Sequence, residues 1–321
     1  MLETVHVQSW IIQLASRSTA WTFTTRPLRR YNPPPEGQLA APVERPLSIP
    51  NVLLDAFDLI CNLRGIGWSW SHNPFPKTST WSTSIPVILA KLLLNYVEND
   101  ASNCLLEHFR PSVANPPGDT IFDPSLSIVP QYACAAFYTV CGAMVLITNI
   151  DVYYYFATLI GRTLLRQSAW QWPPDFNSPW MSTSIAELWS VRWHQQLRYV
   201  FVTFGSRPGG ALLGRAGAVM GAFAVSAVLH YIMMCGAEFR YVGGFFLLMG
   251  VGVVLEHAFK VVTARRVGGI WGWVWAMTWT IAWGTLFIDA GARRGMFAFG
   301  SISGGFRPVK LLVDAIISRY L

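Results

Sequence analysis

Two histidines stand where an imidazole could do chemistry. His230 lies inside residues 216–237, a stretch with no Asp, Glu, Lys or Arg between Arg215 and Glu238. An ionisable ring at membrane depth is usually turned to a bundle interior or a wet cavity. There it serves either as a base or as a neutral core histidine, with Ser226 four residues earlier on the same helix face. His194 sits in Arg192-Trp193-His194-Gln195-Gln196-Leu197-Arg198. Its bland reading is a solvated polar face, with Arg198 one turn away. As a pair, the two rings mark a site at a membrane boundary, open to lipophilic molecules from the bilayer and charged ones from water. The other histidines read as structural: His6, His72 and His108 as solvated, and His257 as bonded locally beside Glu256.

Other chemistries lack their residues. The sequence has no Gly-x-Ser-x-Gly elbow, no Gly-Lys-Ser/Thr phosphate loop and no His/Cys cluster with zinc spacing. No metal is expected. No histidine is followed four or five residues later by Asp. Cys61, Cys104, Cys134, Cys141 and Cys235 are scattered and read as small buried apolar residues.

The elements that must carry these residues are membrane helices. The chain has 321 residues, 52% hydrophobic and only 13% charged, with a mean hydropathy of +0.35. A soluble domain carries about a quarter charged residues. The net charge of +7 comes from basic residues set singly or in pairs between apolar runs. That is how cations flank membrane spans, and it argues against nucleic-acid binding, which needs a basic cluster on one face. Residues 124–150, 216–237, 241–255 and 267–288 are free of charge, and about 20 apolar residues cross a bilayer. Residues 48–63, 83–98, 151–166 and 306–320 are weaker candidates. The expectation is an all-α integral membrane protein with about six to eight transmembrane helices.

An N-terminal segment with a Pro-rich loop over 1–46 precedes a single multi-pass domain over 47–321. The first 21 residues suggest an interfacial amphipathic helix. A second is expected after the loop 167–181: Ser184 and Glu187 fit a capping box, and Ile185, Leu188, Trp189, Trp193, Leu197, Val200, Phe201 and Phe204 fall on one face. The Trp-rich run 271–283 either packs between helices or lines an apolar cavity. The arginines of 162–215 place that segment in the cytosol by the positive-inside rule.

The stretch WPPDFNSPWMSTSIAELWSVRWHQQLR (172–198), followed by SAVLH (226–230), resembles the wax synthase-like branch of the membrane-bound O-acyltransferases, which in fungi includes acetyltransferases of terpenoids and meroterpenoids. RGIGW (64–68) and WGTLFIDAGARRGMF (283–297) also look like this group, with the core at about 165–300. The family pattern has Phe-Trp-Gly where Leu188-Trp189-Ser190 stands here, Arg where Val191 stands, and Gly at Ala227. These departures spare Trp189, Arg192, Trp193, His194 and His230. The N-terminus is short for the family, as in a truncated or reduced member.

The resemblance implies transfer of an acetyl or other acyl group from acyl-CoA, as co-substrate, to a hydroxyl of a lipophilic secondary metabolite. No permanent cofactor is implied. His230 would be the general base, and His194 would orient the donor or serve the oxyanion. Arg192 or Arg198 would contact coenzyme A, with Trp189, Trp193 and Ser226 lining the substrate site. The expected partners are acyl-CoA, a hydroxylated lipophilic molecule and membrane lipid, at the endoplasmic reticulum. Alternatives are a long-chain-alcohol wax ester synthase, an inactive membrane protein and a membrane terpene cyclase. The cyclase needs an acid inside its cavity, whereas Asp151, Glu238, Glu256 and Asp289 all end apolar stretches.

Overall fold

A computed structural model describes residues 2–24, 27–33, 42–43, 48–72, 74–75, 84–298 and 306–320, with side chains from residue 11 to 319. Among the described residues there are helices and turns with no strand beyond two isolated bridges. The main helices are α1 (Leu2–Thr22), α2 (Ile49–Cys61), α3 (Ile85–Phe109) and α4 (Ile128–Thr163). They are followed by α5 (Arg198–Met233), α6 (Phe239–Thr263), α7 (Gly269–Arg293) and α8 (Pro308–Tyr320). Leu106 of α3, Tyr138 and Val145 of α4, Ala227 of α5, Phe246 and Met249 of α6, and Ile288 of α7 meet in one buried core.

Among the described residues, three stretches have the length and apolar composition to cross a membrane: α4, α5 and α6. The expectation of six to eight crossings is met for these three only. α2 and α8 have 13 residues each, about 20 Å at 1.5 Å per residue, too short for a 30 Å hydrocarbon core. α7 is as long as α6, but five of its apolar positions are tryptophans, which are amphipathic. The inner face of α3 is polar: Asn99 donates to Thr148 Oγ1 (2.9 Å) and to the Val145 carbonyl of α4 (3.0 Å). Asp100, fully buried, accepts from Arg307 (2.7 Å) and from the Val309 N–H at the start of α8 (2.8 Å).

Three expectations change here. The candidate spans 124–150 and 151–166 form one continuous helix, α4, of 36 residues. Asp151 therefore lies inside a helix rather than at the end of one. α1 does not lie free on a surface either. Its Arg17 is 1% exposed and donates to the carbonyls of Leu59, Ile60 and Asn62, capping the C-terminus of α2. Among the cysteines Cys141 is buried, but Cys61 and Cys235 are exposed.

α5 is a single helix only by name. At Leu213 and Gly214 the backbone leaves helical geometry, and Gly214 takes φ +60°. The two limbs fold back on each other there. Gly205 faces Gly221, and Gly209 faces Gly217. A Cβ on Gly217 would stand 2.2 Å from the Gly209 carbonyl oxygen, and one on Gly205 2.3 Å from that of Gly221. Small residues allow this backbone-to-backbone approach between membrane helices. The limb from Arg215 to Met233, about 28 Å long, carries His230.

This contact is open to a paired test. Gly217→Ala should cost about 2 kcal/mol by overpacking and lower the melting temperature in detergent. Gly244→Ala in α6, where the nearest atom would be an ordinary 3.8 Å away, should leave it unchanged or raise it, because alanine is the better helix former.

Candidate active site

His230 is half-buried on the second limb of α5. Its Nδ1 lies 2.8 Å from the Ser226 carbonyl oxygen. A carbonyl only accepts, so this bond places the ring proton on Nδ1 and leaves the lone pair on Nε2. The Ser226 hydroxyl stands 3.4 Å from the same Nδ1. Phe246 lies over the ring at a centroid distance of 4.2 Å, and Phe287 of α7 stands at 6.0 Å.

The segment before α5 differs from the continuous amphipathic helix that its apolar spacing suggests. Ile185–Glu187 is one α-turn, Leu188–Arg192 a π-turn, and the helix breaks at Trp193 to resume at Arg198. The reason is local competition for carbonyls. The Trp193 N–H reaches back five residues to Leu188 (2.7 Å), and the Gln195 amide donates to the Trp193 carbonyl (2.6 Å). The capping box is half present: Ser184 accepts from the Glu187 N–H (3.0 Å), while the Glu187 carboxylate takes the N–H and hydroxyl of Thr183 instead.

The break turns His194 inward. Its Nδ1 is buried and has no partner among the described residues, and Phe176 stands edge-on at 5.6 Å. A solvated polar face is thus not where His194 lies. Burial pushes its ring down to about 3, with His230 and Arg64 adding to the effect, so it is neutral at physiological pH. An aromatic chain joins the two histidines: Trp193 lies 5.9 Å from His194, Trp189 5.1 Å from Trp193, and Phe246 6.2 Å from Trp189. The Trp189 indole N–H is a second buried donor without a partner.

The two arginines differ. Arg192 is committed to structure: Nε binds Glu187 (2.7 Å), and Nη1 donates to the carbonyls of Asn177 (3.0 Å) and Ser178 (3.3 Å). It clasps the loop 172–181. Arg198 is exposed, with Nη1 engaged to Ser190 (2.9 Å) and Gln195 (2.7 Å).

Four further ionisable residues of this region are absent from the site residues expected above, although Arg64 opens RGIGW and Asp175 lies within the 172–198 stretch. Glu256, 8% exposed on α6, accepts from the N–H groups of Ile185 (2.6 Å) and Ala186 (3.0 Å) and from Trp275 Nε1 (3.0 Å). Arg64 donates to the carbonyls of Pro173 (2.9 Å) and Pro174 (3.1 Å). Asp175 accepts from Gln196 at 2.5 Å, and burial raises its carboxyl to about 6. Asp151 is buried on α4. For Glu256 and Asp151 the hint in the sequence was an ionisable side chain next to an apolar segment.

The remaining expectations resolve as follows. His72 is stacked on Tyr199 at 5.4 Å rather than solvated. His257 Nδ1 lacks the expected hydrogen bond among the described residues. His108 is exposed, and the His6 side chain lies outside the described residues. In the Trp-rich run both readings hold. Trp275 and Trp279 bond to Glu256 and to the Leu248 carbonyl, whereas Trp273 and Trp283 line an apolar cavity of about 580 Å3 with Tyr132 and Ala136 of α4. The cavity face of α7 ends at Thr285. Phe287, which meets His230, is two residues on and so on another face.

Residues 172–248, which include both histidines, match the sequence model of the membrane bound O-acyl transferase family. The resemblance is therefore to the membrane-bound O-acyltransferases. Among curated relatives, the chain is 26% identical to the O-mevalon transferase yanI of Aspergillus niger over 44% of its own length and 34% of that protein. It is 27% identical to the O-mevalon transferase macI of Penicillium terrestre over 65% of its length and 54% of that protein. It is 29% identical to a long-chain-alcohol O-fatty-acyltransferase of Simmondsia chinensis over 29% of its length and 30% of that protein. The chain thus spans between about a third and about half the length of these relatives.

Two outcomes follow from this geometry. Glu256→Ala strands three buried donors and should lower stability by roughly 3 kcal/mol, while Glu256→Gln, which keeps an acceptor, should lose less; thermal unfolding in detergent compares them. For His194, the folded ring stays neutral down to about pH 3, whereas an unfolded histidine protonates near 6.5. Between these values the unfolded chain binds more protons, so stability falls as pH falls. The melting temperature of wild type should therefore drop relative to His194→Gln when both are measured at pH 7, 6 and 5.

Proposed function

We propose that this chain is a membrane-bound O-acyltransferase that moves an acyl group from acyl-CoA to a hydroxyl of a lipophilic metabolite, such as a terpenoid or meroterpenoid. The observation that carries the assignment of roles is the Nδ1–H bond from His230 to the Ser226 carbonyl, which leaves Nε2 as the basic atom in an aromatic, water-poor setting. Nε2 takes the proton of the acceptor hydroxyl as its oxygen attacks the thioester carbonyl. The resulting oxyanion needs donors, and the two unpartnered buried groups, Trp189 Nε1–H and the neutral His194 ring, are suited to that task. Collapse expels the coenzyme A thiolate, which receives the proton from His230. The transfer is direct, with no acyl-enzyme.

Arg198, at the exposed end of this segment, contacts coenzyme A phosphates. Arg192 acts by holding the loop, and Trp193 packs between the two histidine-bearing segments. The protein lies in the membrane of the endoplasmic reticulum with residues 162–215 in the cytosol, where acyl-CoA is available. Acetyl is the simplest donor. The names of the two fungal relatives point to a mevalon group, and that of the plant relative supports the second reading, esterification of long-chain alcohols.

The test uses membranes expressing the protein, a panel of acyl-CoA donors, and hydroxylated terpenoids or long-chain alcohols. His230→Ala should lower turnover at least 100-fold while eluting from a sizing column as wild type does. Full turnover in that variant refutes the base assignment, and product formed without any acyl-CoA refutes acyl transfer.

A further inference from the structure

The cavity between α4 and α7 has no part in the acyl-transfer steps. It holds about 580 Å3 and runs along α7 from Trp273 through Met277 and Ile281 to Thr285, with Tyr132 and Ala136 of α4 as its other wall. Cavities of this volume hold one small organic molecule. No charged residue lines it, and Thr285 donates its hydroxyl to the Ala282 carbonyl of its own helix (2.7 Å). An occupant therefore meets apolar and aromatic surface along its length. The cavity opens outward: Tyr132 is 58% exposed and Trp273 39% exposed. α4 has the length and composition of a membrane span, so the medium outside is the hydrocarbon of the bilayer. Phe287, the α7 residue that meets His230, lies on another face, so the occupant is not the acyl acceptor.

Length and charge narrow the occupant. From residue 273 to residue 285 a helix rises about 18 Å, and one leaflet of the hydrocarbon core is about 15 Å deep. The cavity thus matches a hydrocarbon chain lying along one leaflet. At its Trp273 end, Arg265 and Arg266 lie in the turn between α6 and α7. Both are exposed, and neither guanidinium has an ion pair or hydrogen bond among the described residues. Val267 packs this turn against the start of α7: a Cβ on Gly272 would stand 3.3 Å from its Cγ1. Trp271, 80% exposed, stands on the same turn of α7, as aromatic residues do at the level of lipid headgroups. The site is apolar along its depth and cationic at one end. An anionic phospholipid has the complementary form, because juxtamembrane arginines attract anionic headgroups.

We propose that this cavity binds one chain of an anionic membrane phospholipid whose headgroup rests on Arg265 and Arg266. Trp273, which the chain touches, also donates its indole N–H to the Trp180 carbonyl (2.8 Å), so the bound lipid buttresses the loop 172–181. The inference does not depend on the acyltransferase reading. The experiment uses the whole protein in detergent, titrated with dioleoyl phosphatidylserine or dioleoyl phosphatidylcholine. A third lipid is a phosphatidylserine with a diazirine in one acyl chain. Phosphatidylserine should raise the melting temperature at a concentration about 10-fold lower than phosphatidylcholine does. After irradiation the diazirine should label residues within 273–285. The double variant Arg265→Ala/Arg266→Ala should respond to the two lipids alike. Ala282→Trp, which fills the cavity from an exposed position on its wall, should elute as wild type does but lose the labelling. Amide exchange in 172–181 should slow with phosphatidylserine in wild type and not in Ala282→Trp. An equal response of wild type to both lipids, or labelling that Ala282→Trp leaves unchanged, overturns the site. Stabilisation by glycerophosphoserine alone, at the concentration at which the lipid acts, overturns it too, because the chain then contributes nothing.

Discussion

A carboxylate on an apolar helix must find donors or be expelled, and in this protein Glu256 finds three of them. Two are the backbone N–H groups that open the turn Ile185–Glu187, and the third is the indole of Trp275. This one group joins α6, α7 and the segment that leads to His194. α6 also carries Phe246, which lies over His230. The distance between the two histidines is therefore set through a single satisfied charge and the helix behind it. A close approach of α7 to the same segment completes the clamp: a Cβ on Gly272 would stand 2.2 Å from the Thr183 carbonyl oxygen.

The same principle of obligatory pairing shapes the rest of the site. Arg192 occupies its guanidinium with Glu187 and two loop carbonyls, and Arg64 with two more. Apart from one turn at Pro179–Met181, the loop 172–181 has little regular structure, so side chains supply many of its hydrogen bonds. Among the described residues eleven buried side-chain atoms have no partner, and two of them, Trp189 Nε1 and His194 Nδ1, belong to the aromatic chain between the histidines.

Backbone proximity matters as much as polarity. The fold-back of α5 places its limbs in contact through Gly205, Gly209, Gly217 and Gly221. This hairpin lets a 36-residue apolar helix present His230 near Trp189 instead of extending about 54 Å away from it. The apolar cavity of about 580 Å3 between α4 and α7 lies on another face of α7 from Phe287, so it is separate from the histidine pair.

Much of the helical character was legible from residue types alone. Charge-free runs of this length become helices because a helix satisfies its backbone groups within one segment, as an apolar setting requires, and α4, α5 and α6 follow from that. The loop 167–181 followed from its prolines, and the histidine pair from a ring placed where charges are excluded. Three features were not legible. The 184–204 periodicity continues across a break, because Trp193 and Leu197 face inward whether or not the backbone between them is helical. The fold-back at Gly214 has no periodic signature, since each glycine is as compatible with a straight helix. The partners of Glu256, Asp175 and Arg64 lie far along the chain, so no local pattern contains them. Sequence alone determined which segments are apolar and where ionisable side chains interrupt them, because hydrophobicity and helix period are local properties. Only the tertiary structure decided which of those side chains are paired and which lack a partner, because pairing depends on contacts between segments tens of residues apart.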